Sequence, residues 1–229
     1  MKKKLLVCVV VISLVLTGLS AATKNNISVG LNMGYSLNPV NQKYTDSSLT
    51  NLTTSYKYLN KGFSLAGTAE LGLSKDLSLK ANVGVDIFGK ASITTDTKTS
   101  RGNTNTKDEA SDSTGANFVL FVAPQYSYRV NKNVKINGAL GLDMMYGKYR
   151  SYTGNDENLK KRYTNLALGL GLEASGTFSV AKNVNLNLGT RFSWYFVNNA
   201  EGLKKQTSYT DYSLSNLAFR FFLGATYTL

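Results

Sequence analysis

From Ile27 to Leu37 every odd position is apolar and every even position is small or polar: Ile27, Val29, Leu31, Met33, Tyr35 and Leu37 alternate with Ser28, Gly30, Asn32, Gly34 and Ser36. Successive side chains on an extended strand point to opposite faces, so this period of two residues defines a strand with one apolar face. A helix would scatter the same residues around its whole circumference. The pattern returns between Phe63 and Leu73, Leu77 and Ile87, Phe118 and Val130, Val134 and Tyr146, Leu166 and Val180, Val184 and Phe196, and Leu217 and Leu229. The spacing therefore predicts an all-β chain of eight strands with no helix.

The connections alternate short and long. Ser74-Lys75-Asp76, Asn131-Lys132-Asn133 and Ala181-Lys182-Asn183 each join two strands, with a central lysine and an Asp or Asn where a tight hairpin favours a left-handed residue. The other connections, near 38–60, 89–115, 147–162 and 197–213, are long and rich in Ser, Thr, Asn, Lys and Tyr. The repeated turn makes the chain a series of hairpins, and antiparallel neighbours are expected throughout.

Ahead of the first strand, a basic start (Met1 to Lys4) leads into an apolar run from Leu5 to Leu16 and then the small residues Ser20, Ala21 and Ala22. This is the composition of a secretory leader, and the run is short for a bilayer span. The predicted leader is 1–22, cut after Ala22 with Ser20 or Ala21 as alternatives, and the predicted mature barrel is 23–229. The lone cysteine, Cys8, falls in the leader, so no disulfide is expected in the exported chain. Losing Lys2, Lys3 and Lys4 leaves 23 of the 26 basic residues against 14 acidic ones, a net charge of +9. For an exported chain, that excess favours anionic lipid and cell-surface polyanions over nucleic acid as partners.

The sequence contains no histidine. That removes the usual general base and the commonest zinc ligand. With no mature cysteine, glycine-rich phosphate cradle or metal-ligand cluster, neither catalysis nor a cofactor nor a metal is expected.

Periodicity alone does not say whether the apolar face looks into a core or out into lipid. A soluble, lipocalin-like barrel would turn it inward and carry charge outside. Here the polar face is dominated by Gly, Ala, Ser, Thr and Asn, which suits a narrow interior. An eleven-residue strand such as Ile27 to Leu37 spans roughly 36 Å, or about 28 Å when tilted by about 40°, near the ~25 Å apolar band of a membrane barrel. Aromatics also gather at both ends of the apolar face. Tyr126, Tyr128, Phe178 and Tyr227 lie toward the short turns, while Tyr35, Phe63, Tyr146, Trp194, Phe196 and Phe219 lie toward the long connections.

The leader, the eight two-faced strands, the alternation of short and long connections and the terminal strand Phe219 to Leu229 together resemble the small eight-stranded outer-membrane β-barrel proteins of Gram-negative bacteria, of the outer-membrane protein A and X type. The resemblance covers the barrel domain only. It implies an eight-stranded antiparallel up-and-down transmembrane β-barrel in the outer membrane, monomeric, in contact with outer-membrane lipid and lipopolysaccharide. It further implies recognition of the C-terminal strand by the barrel-assembly machinery. Members usually end in an aromatic residue; this chain ends in Leu229, with Tyr227 two residues before it. Enzymes built on such barrels rely on a catalytic histidine, which is missing here.

On the polar face lie nine charges: Glu70, Lys80, Asp86, Arg129, Lys135, Asp143, Glu173, Arg191 and Arg220. If residues flanking each short turn pair directly, Glu70 faces Lys80, Glu173 faces Arg191 and Arg129 faces Lys135. The simpler expectation is a self-neutralising plug in a narrow lumen. The other is a small pore whose salt bridges exchange partners. In the third long connection, Lys148, Tyr149, Arg150 and Tyr152 together with Lys160, Lys161 and Arg162 interleave cations with tyrosine. That combination suits phosphates and planar groups, with lipopolysaccharide or a host polyanion as the expected ligand, although a plain solvated loop has the same composition. The functional expectation is a structural and surface-interaction barrel for adhesion or envelope stability, the alternative being a narrow, porin-like conduit for small solutes.

Overall fold

Two-residue alternation leaves each strand with unpaired backbone donors and acceptors on both edges, and closure of the sheet satisfies them all. The computed structural model describes residues 27–46, 52–99, 102–110, 115–152, 160–201 and 211–229, and the predicted leader, 1–22, lies outside them. The described strands are β1 (Ile27–Asp46), β2 (Leu52–Gly72), β3 (Leu77–Thr99), β4 (Gly102–Ala110), β5 (Gly115–Arg129), β6 (Val134–Tyr152), β7 (Lys160–Ala181), β8 (Val184–Glu201) and β9 (Asp211–Thr228). β1 pairs antiparallel with both β2 and β9, and each remaining barrel strand pairs with its chain neighbours, so β1, β2, β3 and β5–β9 form a closed eight-stranded barrel.

Two expectations need correction. A ninth strand exists: β4 sits in the 89–115 segment and pairs with the far end of β3, from Ala91↔Ala110 to Thr99↔Gly102. The long connections are also shorter than expected, because the ladders continue into them. β1 and β2 remain paired up to Asp46↔Leu52, within 38–60, and β6 and β7 up to Tyr152↔Lys160, within 147–162. The segment 197–213 likewise holds the ends of β8 and β9. Apolar alternation marks a strand only where its two faces meet different solvents. Beyond the apolar band both faces are polar, and Thr- and Tyr-rich sequences such as Thr53 to Tyr58 retain strand propensity without showing the period.

Two of the three short turns are held by local side chains. The Asn131 carboxamide oxygen accepts the backbone N–H groups of Asn133 and Val134, both at 2.9 Å, and the Ser74 hydroxyl accepts that of Leu77 at 3.2 Å. Among the described residues only Asn183 has a positive φ without being glycine, at 84°. Asp76 and Asn133 therefore manage without the left-handed geometry expected of them. In the tightest turn only Lys182 and Asn183 stand outside the strands.

Orientation follows from exposure. Leu31, Met33, Leu140, Leu188 and Leu223 are all more than half exposed, whereas Asn82, Asp86, Asn117 and Asp143 are almost completely buried. The apolar face points out and the polar face in, which excludes the soluble lipocalin-like arrangement. The tight curvature depends on close backbone approach at a few glycines. A Cβ at Gly34 would meet the Phe221 carbonyl of β9, and one at Gly169, beside the β7–β8 bulge at Leu168/Gly169, would meet the Trp194 carbonyl.

A charged chain across the barrel interior

Strand parity sends Glu70 of β2, Lys80 and Asp86 of β3, Asp143 of β6, Glu173 of β7, Arg191 of β8 and Arg220 of β9 into one interior, and ion pairs link all seven in alternating sign. Lys80 Nζ lies 3.2 Å from Glu70 and 2.7 Å from Glu173 on the opposite wall. The Arg191 guanidinium holds Glu173 at 3.0 Å and reaches Asp143 at 3.8 Å. Arg220 lies 3.5 Å from Asp143 and donates through Nε to Asp86 at 2.9 Å. The bridges from β3 to β7 and from β3 to β9 cross the lumen rather than following its wall.

Neutral donors complete the network. Ser193 and Tyr195 donate to Asp143 at 2.6 and 2.9 Å, and each hydroxyl also accepts from Arg220, at 3.2 and 3.3 Å. Asn82 donates to Glu173 at 3.3 Å, and Gln125 reaches Glu70 at 3.3 Å. The Arg191 guanidinium carbon stands 4.2 Å from the centre of the Phe121 ring, a stacking contact that adds cation–π attraction in a site poor in water. Arg191 and Arg220 are direct register partners on β8 and β9, a repulsive arrangement on its own. Interposed Asp143 lies within ion-pairing distance of both.

The register pairs Glu70↔Lys80, Glu173↔Arg191 and Arg129↔Lys135 all occur in the ladders. Arg129 and Lys135 do not join the network: they sit at the β5–β6 turn end, Arg129 exposed and Lys135 half-buried. Of the basic third-connection residues, Lys148 is exposed on β6. Tyr149, Arg150 and Tyr152 continue β6, while Lys160, Lys161 and Arg162 open β7. Arg150 is the register partner of Arg162, Tyr149 of Tyr163 and Tyr152 of Lys160, so the segment is a ladder and not a free loop.

Parity reasoning missed the apolar share of the interior. Phe88, Val119, Phe121, Met145, Tyr195 and Phe222 all occupy the inward face and are buried. Tyr195 packs with Met145, Ala167 and Ala218 on the long-connection side of the charges, while Phe121 packs with Ala123 and Ala139. A signal existed: Phe118 to Ala123 is an unbroken apolar run, so the inward positions there are apolar as well as the outward ones. Above the charges, Asn38 of β1 donates to Asn216 of the neighbouring β9 at 2.7 Å, which adds a polar layer to the lumen wall.

A small cavity of about 20 Å³ lies beside Asn32, Asn82, Asp86, Arg191, Arg220 and Phe222, enough for a water molecule. Asn32 Oδ1, Asn82 Oδ1 and Asp86 Oδ1 have no protein donor and give such a water its partners. Among the described residues no group of three His, Cys, Asp or Glu side chains is placed to hold a metal ion.

No family model matches the chain, and no curated protein matches it in sequence. Solved structures do match. Neisserial surface protein A aligns over 89% of this chain and 97% of its own, at 12% identity and a TM-score of 0.52. The outer membrane protease OmpT of Escherichia coli aligns over 90% and 98%, at 11% identity and 0.53, and OprG of Pseudomonas aeruginosa over 91% and 99%, at 10% identity and 0.54. At these identities the likeness is one of fold: the chain has the fold of the small outer-membrane β-barrels, and its outward apolar face is the one such a barrel presents to lipid. A protease shares that fold with non-enzymatic barrels, so the fold itself assigns no activity.

Proposed function

We propose that the protein is a non-enzymatic outer-membrane barrel of a Gram-negative bacterium, with a structural and surface-interaction role and a sealed lumen. The observation that carries this reading is the cross-lumen chain of ion pairs, roofed by buried Tyr195 and Met145. A hydrated ion needs a continuous wet path, and paired charges packed across the lumen beneath a layer of buried side chains oppose one. The absence of histidine from the sequence supports a role without turnover. Purified protein in planar bilayers is expected to give no steady conductance above the bare membrane while retaining its β-sheet circular dichroism. Ohmic current from folded protein would favour the narrow-conduit reading instead.

The β6–β7 hairpin supplies the surface for interaction in this reading. Lys148 follows outward-facing Tyr146 by two residues, which puts the hairpin at the upper edge of the apolar band. Directly opposed arginines, here Arg150 and Arg162, are unfavourable in a ladder unless an anion lies between them, and guanidinium groups suit phosphate. The lipopolysaccharide phosphates of the outer leaflet fit both the charge and the height. Changing Lys148, Arg150 and Arg162 to Gln is expected to weaken binding of lipopolysaccharide to the detergent-solubilised barrel by at least about tenfold, at roughly 1.4 kcal/mol per decade. Unchanged affinity, read by a spectroscopic titration, would remove the hairpin from this role.

A further inference from the structure

The opposite end of the barrel carries a second cationic surface of a different kind. Each short turn has the form apolar-x-Lys-x-apolar: Leu73-Ser-Lys75-Asp-Leu77, Val130-Asn-Lys132-Asn-Val134 and Val180-Ala-Lys182-Asn-Val184. All three lysines are exposed, and exposed Arg129 with half-buried Lys135 adds a like-charged register pair beside the second turn. Among the described residues none of the three turn lysines takes part in an ion pair, in contrast to Lys80, Arg191 and Arg220 in the lumen, which carboxylates hold. Among the described residues, the acidic side chain beside the turn lysines is Asp76, next to Lys75. Three exposed like charges around one rim favour a counter-anion from outside the chain.

The height of these charges identifies that anion. Leu73, Val130 and Val180 are outward-facing and more than half exposed, so the lipid-facing band runs to within two residues of each lysine. Two strand residues rise by roughly 7 Å, and a lysine stem keeps its ammonium near the apolar edge by snorkelling. That is the depth of lipid phosphates, and a polymer lying beyond the headgroups would sit too far out. We propose that Lys75, Lys132 and Lys182 form a docking rim for the phosphates of anionic phospholipid in the leaflet that surrounds the short turns. The inference rests on the membrane-barrel reading above.

The test uses the full barrel in nanodiscs of phosphatidylcholine containing increasing phosphatidylglycerol, with bound lipid counted by native mass spectrometry. Wild type is expected to retain phosphatidylglycerol over phosphatidylcholine. In the variant K75Q/K132Q/K182Q the retention constant should fall by about fivefold per lysine, roughly a hundredfold in all at low salt, and the preference should vanish at 1 M salt. A charge-matched variant at the other end, K43Q/K57Q/K98Q, whose positions lie six or more strand residues beyond outward-facing Tyr35, Phe63 and Ile87, should behave as wild type. Equal retention by wild type and the turn variant overturns the proposal, as does full competition by soluble glycerol phosphate, which would make the rim a site for free phosphate. Failure of the folded protein to enter nanodiscs would instead overturn the membrane reading itself, and the proposal with it.

Discussion

Glu173→Ala is expected to destabilise the barrel by about 3–5 kcal/mol, because it leaves two buried cations short of an acceptor. Glu173 accepts from Arg191 at 3.0 Å and from Lys80 at 2.7 Å, and it is 2% exposed. Neither cation is wholly abandoned: Lys80 keeps Glu70 at 3.2 Å and Arg191 keeps Asp143 at 3.8 Å. Those contacts place the loss near the lower end of that range. Adding Arg191→Ala removes one of the stranded charges and divides the chain into two paired sets, Glu70 with Lys80 and Asp143 with Arg220 and Asp86. The double variant should therefore lose less than the sum of the singles, by at least about 1 kcal/mol. Urea unfolding in lipid vesicles of the two single variants and the double variant gives the coupling directly. Simple additivity would mean that lumen water screens the pair and that the interior is wetter than the near-complete burial of Glu173 and Arg191 implies.

How far the sequence determined this site can be seen residue by residue. Turn-centred register arithmetic pairs Glu70 with Lys80 and Glu173 with Arg191, and the ladders have those partners, because a short turn leaves a strand no freedom to slip without reversing its faces. The contacts that close the lumen are of another type. Lys80 to Glu173 and Arg220 to Asp86 join strands that are not neighbours, and their distances depend on barrel diameter and shear, which no local pattern encodes. Tyr195 was invisible for a related reason: it stands at an inward position beside outward Trp194 and Phe196, and an aromatic run does not say which ring fills the interior. The strand extensions beyond the bilayer escaped because the contrast between lipid and lumen, the source of the alternation, ends where both faces are wet. The ninth strand, β4, has no apolar face at all in Gly102–Ala110 and shows itself only through its pairing with β3.

Arg220→Met should be more damaging than Arg191→Met, although the two arginines are register partners and equally buried. The difference lies in what each leaves behind. Arg191 stands between Glu173, which keeps Lys80, and Asp143, which keeps Arg220, so each of its carboxylates retains a second cation. Arg220 stands between Asp143 and Asp86, and among the described residues Asp86 has no other cation within ion-pairing distance. Its removal also takes donors from Ser193 and Tyr195, the two hydroxyls that in turn hold Asp143. A buried carboxylate without a partner is the costly outcome, so the expected loss is about 3–5 kcal/mol for Arg220→Met and roughly half that for Arg191→Met. Asp86→Asn in the Arg220→Met background removes the orphaned charge and should recover much of the loss, whereas Asp86→Asn in the Arg191→Met background removes the partner of an intact arginine and should make matters worse. Unfolding midpoints of the four variants in one detergent decide between this sequential pairing and a pooled one: were the interior a shared, water-screened charge cloud, the two arginine variants would unfold alike and Asp86→Asn would shift both in the same direction.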